Sequence, residues 1–182
     1  MARFRFKLWK WRIAFYFSRV EEVKGVNSQT KSGKHILMWD FDGVENLEDL
    51  VLDLMRIQAM YKLPDIYLIQ SSEGNYQAYC FKEVDFKTAL HIVSASKYVD
   101  ENYLRLSAYR GYFTLRIDAT ETRPAPKLIG VIQSRYKPDL SYKDLCSFVI
   151  YEQAVKNSGG VLKRCLEAVS RSLKRLRRLT RG

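Results

Sequence analysis

The stretch DIYLIQSSEGNYQAYCF, residues 65–81, decides the fold of this 182-residue chain. Two apolar runs with the composition of strands, residues 65–71 and 75–81, are separated only by a short turn that contains Gly74. Because a parallel pair of strands needs a long crossover connection, strands joined this closely must pair as an antiparallel hairpin. The hairpin predicts an antiparallel sheet.

The segments around the hairpin complete an alternation of strands and helices. Hydrophobic periodicity and capping signals predict a buried strand at residues 35–42, a helix from about Asn46 to Lys62, a second helix at residues 85–99 and a further strand at residues 112–120. This βαββαβ order is that of ferredoxin-like and RNA-recognition-motif-like (RRM-like) folds, in which helices pack on one face of an antiparallel sheet. The predicted fold class is therefore α+β, with an RRM-like core at about residues 35–120.

Segments outside this core carry weaker patterns. Period-two alternation over residues 3–17 indicates extra N-terminal strands, with a bulge or bend where the phase changes after Leu8; an interfacial amphipathic helix is the alternative. Residues 24–34, rich in Gly, Ser, Asn and Lys, are predicted to be a loop. Residues 126–134 are a candidate for one more strand, and residues 142–156 have a helical pattern.

The two ends of the chain are basic and enclose an acidic segment. The chain carries a net charge of +11, from 31 Lys and Arg against 20 Asp and Glu. Residues 1–39 and residues 161–182 each carry +7, whereas residues 40–62 carry −4. A basic body around an acidic patch suits a polyanionic partner that is gathered toward a cation site. Ordinary solvated surface charge is the plainer interpretation.

The basic segment 161–182 is predicted to form an amphipathic C-terminal helix that follows a single domain of residues 1–158. Its apolar stripe favours docking against the domain or against a partner such as another replication protein. Its basic residues can contact nucleic-acid phosphates, and an anionic membrane surface is a third reading. The candidate phosphate contacts are Lys163, Arg164, Arg171, Lys174, Arg175, Arg177 and Arg178.

Cysteine and histidine usage excludes several kinds of site. Three widely spaced cysteines suggest neither a disulfide framework nor a CxxC metal site, and the two histidines are too far apart in sequence for a histidine-rich zinc site. A reducing, cytoplasmic location is predicted. Charges interrupt every apolar run near the N-terminus, so neither a signal sequence nor a transmembrane segment is predicted.

Asp40 and Asp42 form a candidate metal site at the end of the first core strand. Alternate residues of a strand project from the same face, so their carboxylates lie together, and hard oxygen ligands suit Mg²⁺ or Mn²⁺. Asp118 ends the later strand, which the ferredoxin-like strand order places beside the first. The three acids are therefore expected to form one cluster, able to hold two cations for phosphoryl chemistry.

Three segments, in this order, resemble the archaeo-eukaryotic primase (primase-polymerase) superfamily, which includes plasmid and viral members. ILMWDFD (36–42) resembles the family's hhhDhD strand, SEGNYQAY (72–79) its Ser-x-His hairpin, and LRID (115–118) its h-D strand. The resemblance covers about residues 35–120 and implies a magnesium- or manganese-dependent nucleotidyltransferase of DNA replication that uses nucleoside triphosphates. It implies catalytic metal ligation by Asp40, Asp42 and Asp118, and nucleotide binding near Ser72 and Gln77.

Gln77 departs from the family pattern, because the family has histidine there. Glutamine can hydrogen-bond a phosphate but cannot carry positive charge, so Arg110, Arg116 and Lys127 are candidates to supply it. Catalysis is then either rearranged or lost, which leaves open an RRM-like replication protein that only binds DNA or RNA. Its candidate stacking residues are Tyr76, Tyr79, Tyr112 and Phe113.

DFDGV (40–44) also resembles the first motif of haloacid-dehalogenase-type phosphohydrolases, in which the first aspartate is the nucleophile and the second the acid/base. That fold requires a parallel sheet, which the tight hairpin at Gly74 opposes, and no paired-aspartate motif follows residue 120. In a third reading, the two aspartates only precede a helix whose N-terminal dipole favours acids.

Overall fold

A computed structural model describes residues 2–8, 11–17, 20–140 and 148–154 of the chain. The predicted helix at residues 161–182 lies outside these residues. The chain divides into two compact units, one of residues 1–22 with 152–182 and the other of residues 23–151.

The described residues contain nine strands and three helices, so the α+β class is confirmed. Their order is β1 (Ala2–Leu8), β2 (Trp11–Phe17), β3 (Val20–Asn27), β4 (His35–Phe41), α1 (Leu47–Tyr61), β5 (Ile66–Ser72), β6 (Asn75–Val84), α2 (Phe86–Ser94), α3 (Glu101–Arg110), β7 (Thr114–Arg116), β8 (Lys127–Ile132) and β9 (Phe148–Ala154).

The N-terminal segment is a two-stranded antiparallel hairpin. β1 pairs with β2 in a register that runs from Ala2 opposite Phe17 to Leu8 opposite Trp11. The predicted N-terminal strands are confirmed. The phase change after Leu8 separates two paired strands and is not a bulge within one.

The central sheet has four strands in the order β4-β6-β5-β8, and every neighbouring pair is antiparallel. The predicted hairpin is the β5–β6 pair, and the candidate strand at residues 126–134 is β8 at the sheet edge. Helix α1 begins where Asn46 Oδ1 accepts a hydrogen bond from Glu48 N, and it ends at Lys62 in the left-handed conformation. These elements agree with the sequence because their turn and capping residues are local signals.

Three predicted elements differ from the structure. The helix at residues 85–99 is shorter, because α2 ends at Ser94 and a separate helix, α3, begins after its cap Asp100. The predicted loop at residues 24–34 begins only after β3. The helix predicted at residues 142–156 is wrong for residues 148–154, which form β9 in a sheet of order β7-β3-β9. Pairing with a distant strand decides this segment, and local periodicity does not contain that information.

The strand predicted at residues 112–120 is shorter, because β7 covers only Thr114–Arg116 and Asp118 lies beyond its end, and it has a different neighbour from the one predicted. β7 pairs with β3, with Leu115 opposite Val26, and is not a member of the central sheet. The edge of β4 where it was expected is taken by other groups. Ile36 N donates to Ser28 O, the Tyr103 hydroxyl donates to Met38 O, and Asp100 N donates to Asp40 O, at 2.9, 2.9 and 3.0 Å. The predicted placement of the last strand beside the first is therefore wrong.

The core of the central unit is one cluster of buried side chains. It includes Leu50, Leu54 and Ile57 of α1 together with the wholly buried Leu37 and Trp39 of β4. Phe113, which precedes β7, is also fully buried and stacks on Tyr103 with 5.7 Å between the ring centroids. Burial of this apolar surface provides most of the driving force for folding the unit.

Candidate functional site

The segment after β4 and the turn of the β5–β6 hairpin are held together by hydrogen bonds. Gly43 N donates to Asn75 Oδ1 at 3.0 Å, and Val44 N donates to Gly74 O at 2.8 Å. Asn75 Nδ2 in turn donates to Ser72 Oγ at 2.7 Å. Gly43 has φ of +70°, a conformation that favours glycine. The segment that follows the first motif is therefore fixed to the hairpin turn of the second motif.

Asp40 and Gln77 lie directly opposite each other in the β4–β6 register. Their side chains share one face of the sheet, because directly paired residues of antiparallel strands point the same way. Gln77 is only 4% exposed, and its Oε1 is buried without a hydrogen-bond partner. Buried acceptors are nearly always satisfied in folded proteins, so this atom requires an explanation.

Tyr103 of α3 borders this site and was missed by the sequence reasoning. Its buried hydroxyl donates to Met38 O at 2.9 Å. Burial raises the pKa of Tyr103 well above its ordinary value, and the charges of Asp40 and Tyr79 act in the same direction. Tyr103 therefore stays a protonated donor beside β4. The aspartate cap at Asp100, three residues earlier, is the sequence signal that could have revealed this helix.

Arg116 connects the third motif to the hairpin. It is 4% exposed; its Nη1 donates to Asp118 O and Pro124 O, each at 2.6 Å, and its Nη2 donates to Ser71 O at 2.7 Å. A guanidinium suits this task because its donors form a rigid planar fork. This candidate nucleotide-binding residue is thus engaged with three backbone carbonyls and joins the segment around Asp118 to the end of β5.

The carboxylate of Asp118 contacts Lys24 and the backbone amide of the next residue. Its Oδ2 lies 3.8 Å from Lys24 Nζ, and its Oδ1 accepts a hydrogen bond from Ala119 N. Within residues 2–8, 11–17, 20–140 and 148–154, no group of three or more His, Cys, Asp or Glu side chains is placed to hold a metal ion. The structure thus joins the three motif segments, and the three-carboxylate, two-cation site stays a prediction.

Oxygen donors lie at the end of β4. Asp40 is partly exposed at the end of β4, and Asp42 is exposed just beyond it. The unpaired Gln77 Oε1 lies on the same face as Asp40. Carboxylate and amide oxygens are hard donors of the kind that Mg²⁺ and Mn²⁺ prefer.

The other predicted site residues are divided between the two ends of β4. α3 begins beside Asp40, where Asp100 N donates to Asp40 O, and it ends close to Phe113, whose carbonyl accepts from Ser28 N beside Ile36. Ser72 is half-buried and bonded to Asn75, whereas Arg110 is exposed as the last residue of α3. Lys127 is exposed at the start of β8, opposite Gln70. The basic candidates from Lys163 to Arg178 lie outside the described residues.

The aromatic residues predicted to stack on bases are mostly core residues. Tyr76, Tyr79 and Phe113 are buried, and Tyr112 is half-buried. Tyr109 is an accessible aromatic side chain, 90% exposed, near the end of α3 that lies away from Asp40. Leu106 and Arg105 are exposed on the preceding turn of the same helix. The sequence reasoning missed this surface because it did not predict α3.

Comparisons with protein-family models, with curated proteins and with solved structures find no match for this chain. Because all pairs in the central sheet are antiparallel, Asp40 and Asp42 do not follow a strand of the parallel sheet that the haloacid-dehalogenase fold requires. Among the described helices, none combines the length and the apolar character needed to span a bilayer.

Proposed function

We propose that this protein is a primase-polymerase-like domain that binds DNA or RNA and carries a nucleotidyl-transfer site at the Asp40 end of its central sheet. The proposal includes an RRM-like classification of the core, a cytoplasmic role in DNA replication, and nucleoside triphosphates as small-molecule partners. Replication proteins that dock on the C-terminal segment belong to the same proposal.

The joining of the three motif segments carries this proposal. Val44 N bonds to Gly74 O between the first and second segments, and Arg116 bonds to both Ser71 O and Asp118 O between the second and third. Segments separated by about thirty to forty residues in the sequence are thereby held at one end of one sheet. A site that must position a nucleotide needs such pre-organisation, because loosely held groups lose rate steeply with small displacements.

The sheet order supports the RRM-like part of the proposal. β4, β6 and β5 are adjacent in that order, with α1 between β4 and β5 along the chain. The first, third and second strands of a βαββαβ core are expected to be neighbours in the same way. α2 and α3 take the place of its second helix, and β7 departs from the position of its fourth strand.

The residues around Asp40 have suitable chemistry for a nucleotide and a strand of nucleic acid. Ser72 Oγ and the Gln77 amide can hydrogen-bond phosphate or sugar. Arg110 and Tyr109 are exposed at the end of α3 away from Asp40, where they can contact a phosphate and a base farther along a bound single strand. Mg²⁺ or Mn²⁺, when bound by Asp40 and Asp42, would supply charge stabilisation at the phosphoryl group.

Primer-synthesis and primer-extension assays with the Asp40→Ala/Asp42→Ala double variant test this proposal. The matched control is Glu48→Ala/Asp49→Ala, which removes two acids from the first turn of α1. We expect metal-dependent incorporation by the wild type and the control, and its loss in the aspartate variant.

Two outcomes would overturn the nucleotidyl-transfer assignment. Salt-sensitive nucleic-acid binding without synthesis, unchanged in the Asp40→Ala/Asp42→Ala variant, would leave an RRM-like binding module. Turnover of a phosphomonoester that depends on Asp40 would instead indicate a phosphohydrolase.

A further inference from the structure

Helix α1 carries apolar side chains on its outward side. Leu52 and Met55 are 62% and 49% exposed, and Ala59 is exposed one turn further along the helix. These three residues form the α1 ridge, with the spacings of three and four residues that are typical of helix–helix contacts. The helix already has a stripe in the core, which consists of Leu50, Leu54 and Ile57. A surface helix normally presents polar residues opposite such a stripe, so the α1 ridge is additional apolar surface that a partner can cover.

The two ends of the α1 ridge carry opposite charges. Glu48, four residues before Leu52, is exposed in the first turn, and Lys62, three residues after Ala59, is exposed at the C-cap. At about 1.5 Å per residue they lie roughly 21 Å apart along the helix, so they cannot pair within one chain. A second copy of α1 that runs antiparallel across the ridge brings Glu48 of each chain to Lys62 of the other. The ridge is therefore complementary in charge to itself.

A depression beside the α1 ridge fits the same arrangement. It has a volume of about 350 Å³ and is lined by Asp49, Leu52, Asp53, Arg56 and Lys97. A two-fold axis level with Met55, midway between Glu48 and Lys62, places position 60 of one helix opposite position 50 of the other. Met60 is 57% exposed and continues the row of Asp49, Asp53 and Arg56 at helical spacing. The flexible side chain of Met60 from a second copy is therefore placed beside this depression.

We infer that the α1 ridge is the interface of a homodimer, in which two copies of α1 pack antiparallel about a two-fold axis at Met55. A contact that is the same on both chains closes on itself, so it produces a dimer and not a filament. A uniformly basic helix, such as the one predicted at residues 161–182, is a poorer partner, because it would bring like charge to Lys62. One helix from each chain makes a small interface, so we expect a Kd in the micromolar range.

Sedimentation velocity of the full chain over a series of concentrations tests this inference. We expect a reversible equilibrium between monomer and dimer in the wild type. Met55→Lys should raise the dimer Kd by about tenfold or more, because two lysines would then meet at the two-fold axis. The matched control is Leu106→Lys, which changes a residue of α3 that is 50% exposed and should leave the Kd unchanged. Circular dichroism establishes that each variant is folded.

Charge reversal tests the antiparallel direction. Glu48→Lys and Lys62→Glu should each weaken the dimer, because each brings like charges together at both ends of the interface. The double variant Glu48→Lys/Lys62→Glu should regain the wild-type Kd. An equimolar mixture of the two single variants should form a heterodimer more tightly than either variant forms a homodimer. Since the two residues are too far apart to pair within one chain, both recoveries require contact between chains.

Several results would overturn the inference. A wild type that stays monomeric at concentrations of several hundred micromolar would do so, since the expected Kd lies below that range. Wild-type dimerisation of Met55→Lys would place the contact on another surface. A double reversal that dimerises no better than the single variants would exclude the antiparallel pairing. Equal weakening by Leu106→Lys would show that the effect is not specific to α1.

The dimer does not rest on the proposed function, and the two fail separately. Primer synthesis by a protein that remains monomeric would remove only the dimer. A dimer with the expected charge dependence that neither synthesises primers nor binds nucleic acid would remove only the proposed function. Glu48→Ala/Asp49→Ala loses an acid at the end of the ridge, so we expect it to dimerise more weakly while synthesis continues at the intact Asp40 and Asp42.

Discussion

Asp53 and Gln77 are both buried polar residues of the central unit, and their surroundings differ. The Asp53 carboxylate accepts hydrogen bonds from Arg56 Nε and Nη2, Ser96 Oγ and Lys97 N, at 3.3, 2.9, 2.7 and 3.2 Å. Gln77 Oε1 accepts none. A fully satisfied buried group fastens elements together, here α1 to the connection between α2 and α3. An unsatisfied buried acceptor carries a desolvation cost that no hydrogen bond offsets.

Removal of the satisfied group should have the largest effect on stability. Asp53→Ala takes away four charge-assisted or buried hydrogen bonds, and we expect the free energy of unfolding to fall by roughly 3 kcal/mol. Urea denaturation followed by circular dichroism measures the change. Asp49→Ala, an exposed acid on the same helix, is the control and should change stability by less than about 0.5 kcal/mol. A loss below 1 kcal/mol for Asp53→Ala would contradict the structural role.

Arg116 is an intermediate case, because its Nη1 and Nη2 donate to three backbone carbonyls whereas, among the described residues, no hydrogen bond is made by its buried Nε. Arg116→Lys cannot reproduce the fork that reaches Ser71, Asp118 and Pro124, so we expect a loss of roughly 2 kcal/mol. Hydrogen exchange should also become faster at the amides of the hairpin turn. Arg105→Lys, in an exposed ion pair with Glu101, is the control and should be nearly neutral. Equal effects of the two substitutions would show that Arg116 does not hold these segments together.

A substitution of Gln77 should change the free energy of unfolding by less than Asp53→Ala does, and in the opposite direction. Gln77→Leu removes a buried acceptor that has no partner, so without added cation it should be neutral or raise the free energy of unfolding by up to about 1 kcal/mol. The same urea titration, in the presence of a chelator, measures this. Destabilisation of 2 kcal/mol or more would show that the amide oxygen is satisfied in solution and would remove the contrast with Asp53.

The smallest effect is expected in the pH dependence of stability. Burial lowers the pKa of His35, and the charge of Asp85 opposes this shift. Because the folded-state pKa lies below the ordinary value of 6.5, the unfolded chain binds the proton more readily. The contribution of neutral His35, whose Nδ1 lies 2.9 Å from Ser28 Oγ, is complete above about pH 6.5 and is lost as the pH falls below it.

His35→Gln should therefore flatten the fall in stability between pH 7 and pH 5.5. Thermal melts of the variant and the wild type across this range measure the difference in slope. At pH 8 the two proteins should differ only by a constant offset, which serves as the internal control. An unchanged slope would show that another group causes the acid sensitivity.

The parts of the fold that follow from local signals were predictable. Gly74 between two apolar runs fixes the hairpin, and the Asn46 cap with the stop before Pro64 bounds α1. β9 and the partner of β7 were not predictable, because pairing between distant strands leaves no trace in local periodicity. α3 was hidden because the periodic pattern of residues 85–99 runs past the end of α2 at Ser94.

The candidate site likewise has features that the sequence predicts and features that it does not. Asp40 and Gln77 lie close together because β4 pairs with β6. The βαββαβ order, which can be read from the sequence, predicts that pairing. The role of Arg116 could not be read from its residue type, since a basic residue suggests solvent or phosphate until its burial is known. The pairing of Asp118 with Lys24 depends on β3, a strand whose C-terminal part the sequence reasoning assigned to a loop.

The closed edge of β4 determines where this sheet can recruit another chain. Along that edge, hydrogen bonds involving Ser28, Asp100 and Tyr103 already occupy backbone groups of β4. Within the described part of the chain, strand addition is thus directed to β8, on the far side of β6 and β5. A partner strand added there would be separated from β4, the strand of Asp40, by three strands. Assembly and ligand occupancy would therefore use separate edges of the same sheet and need not compete.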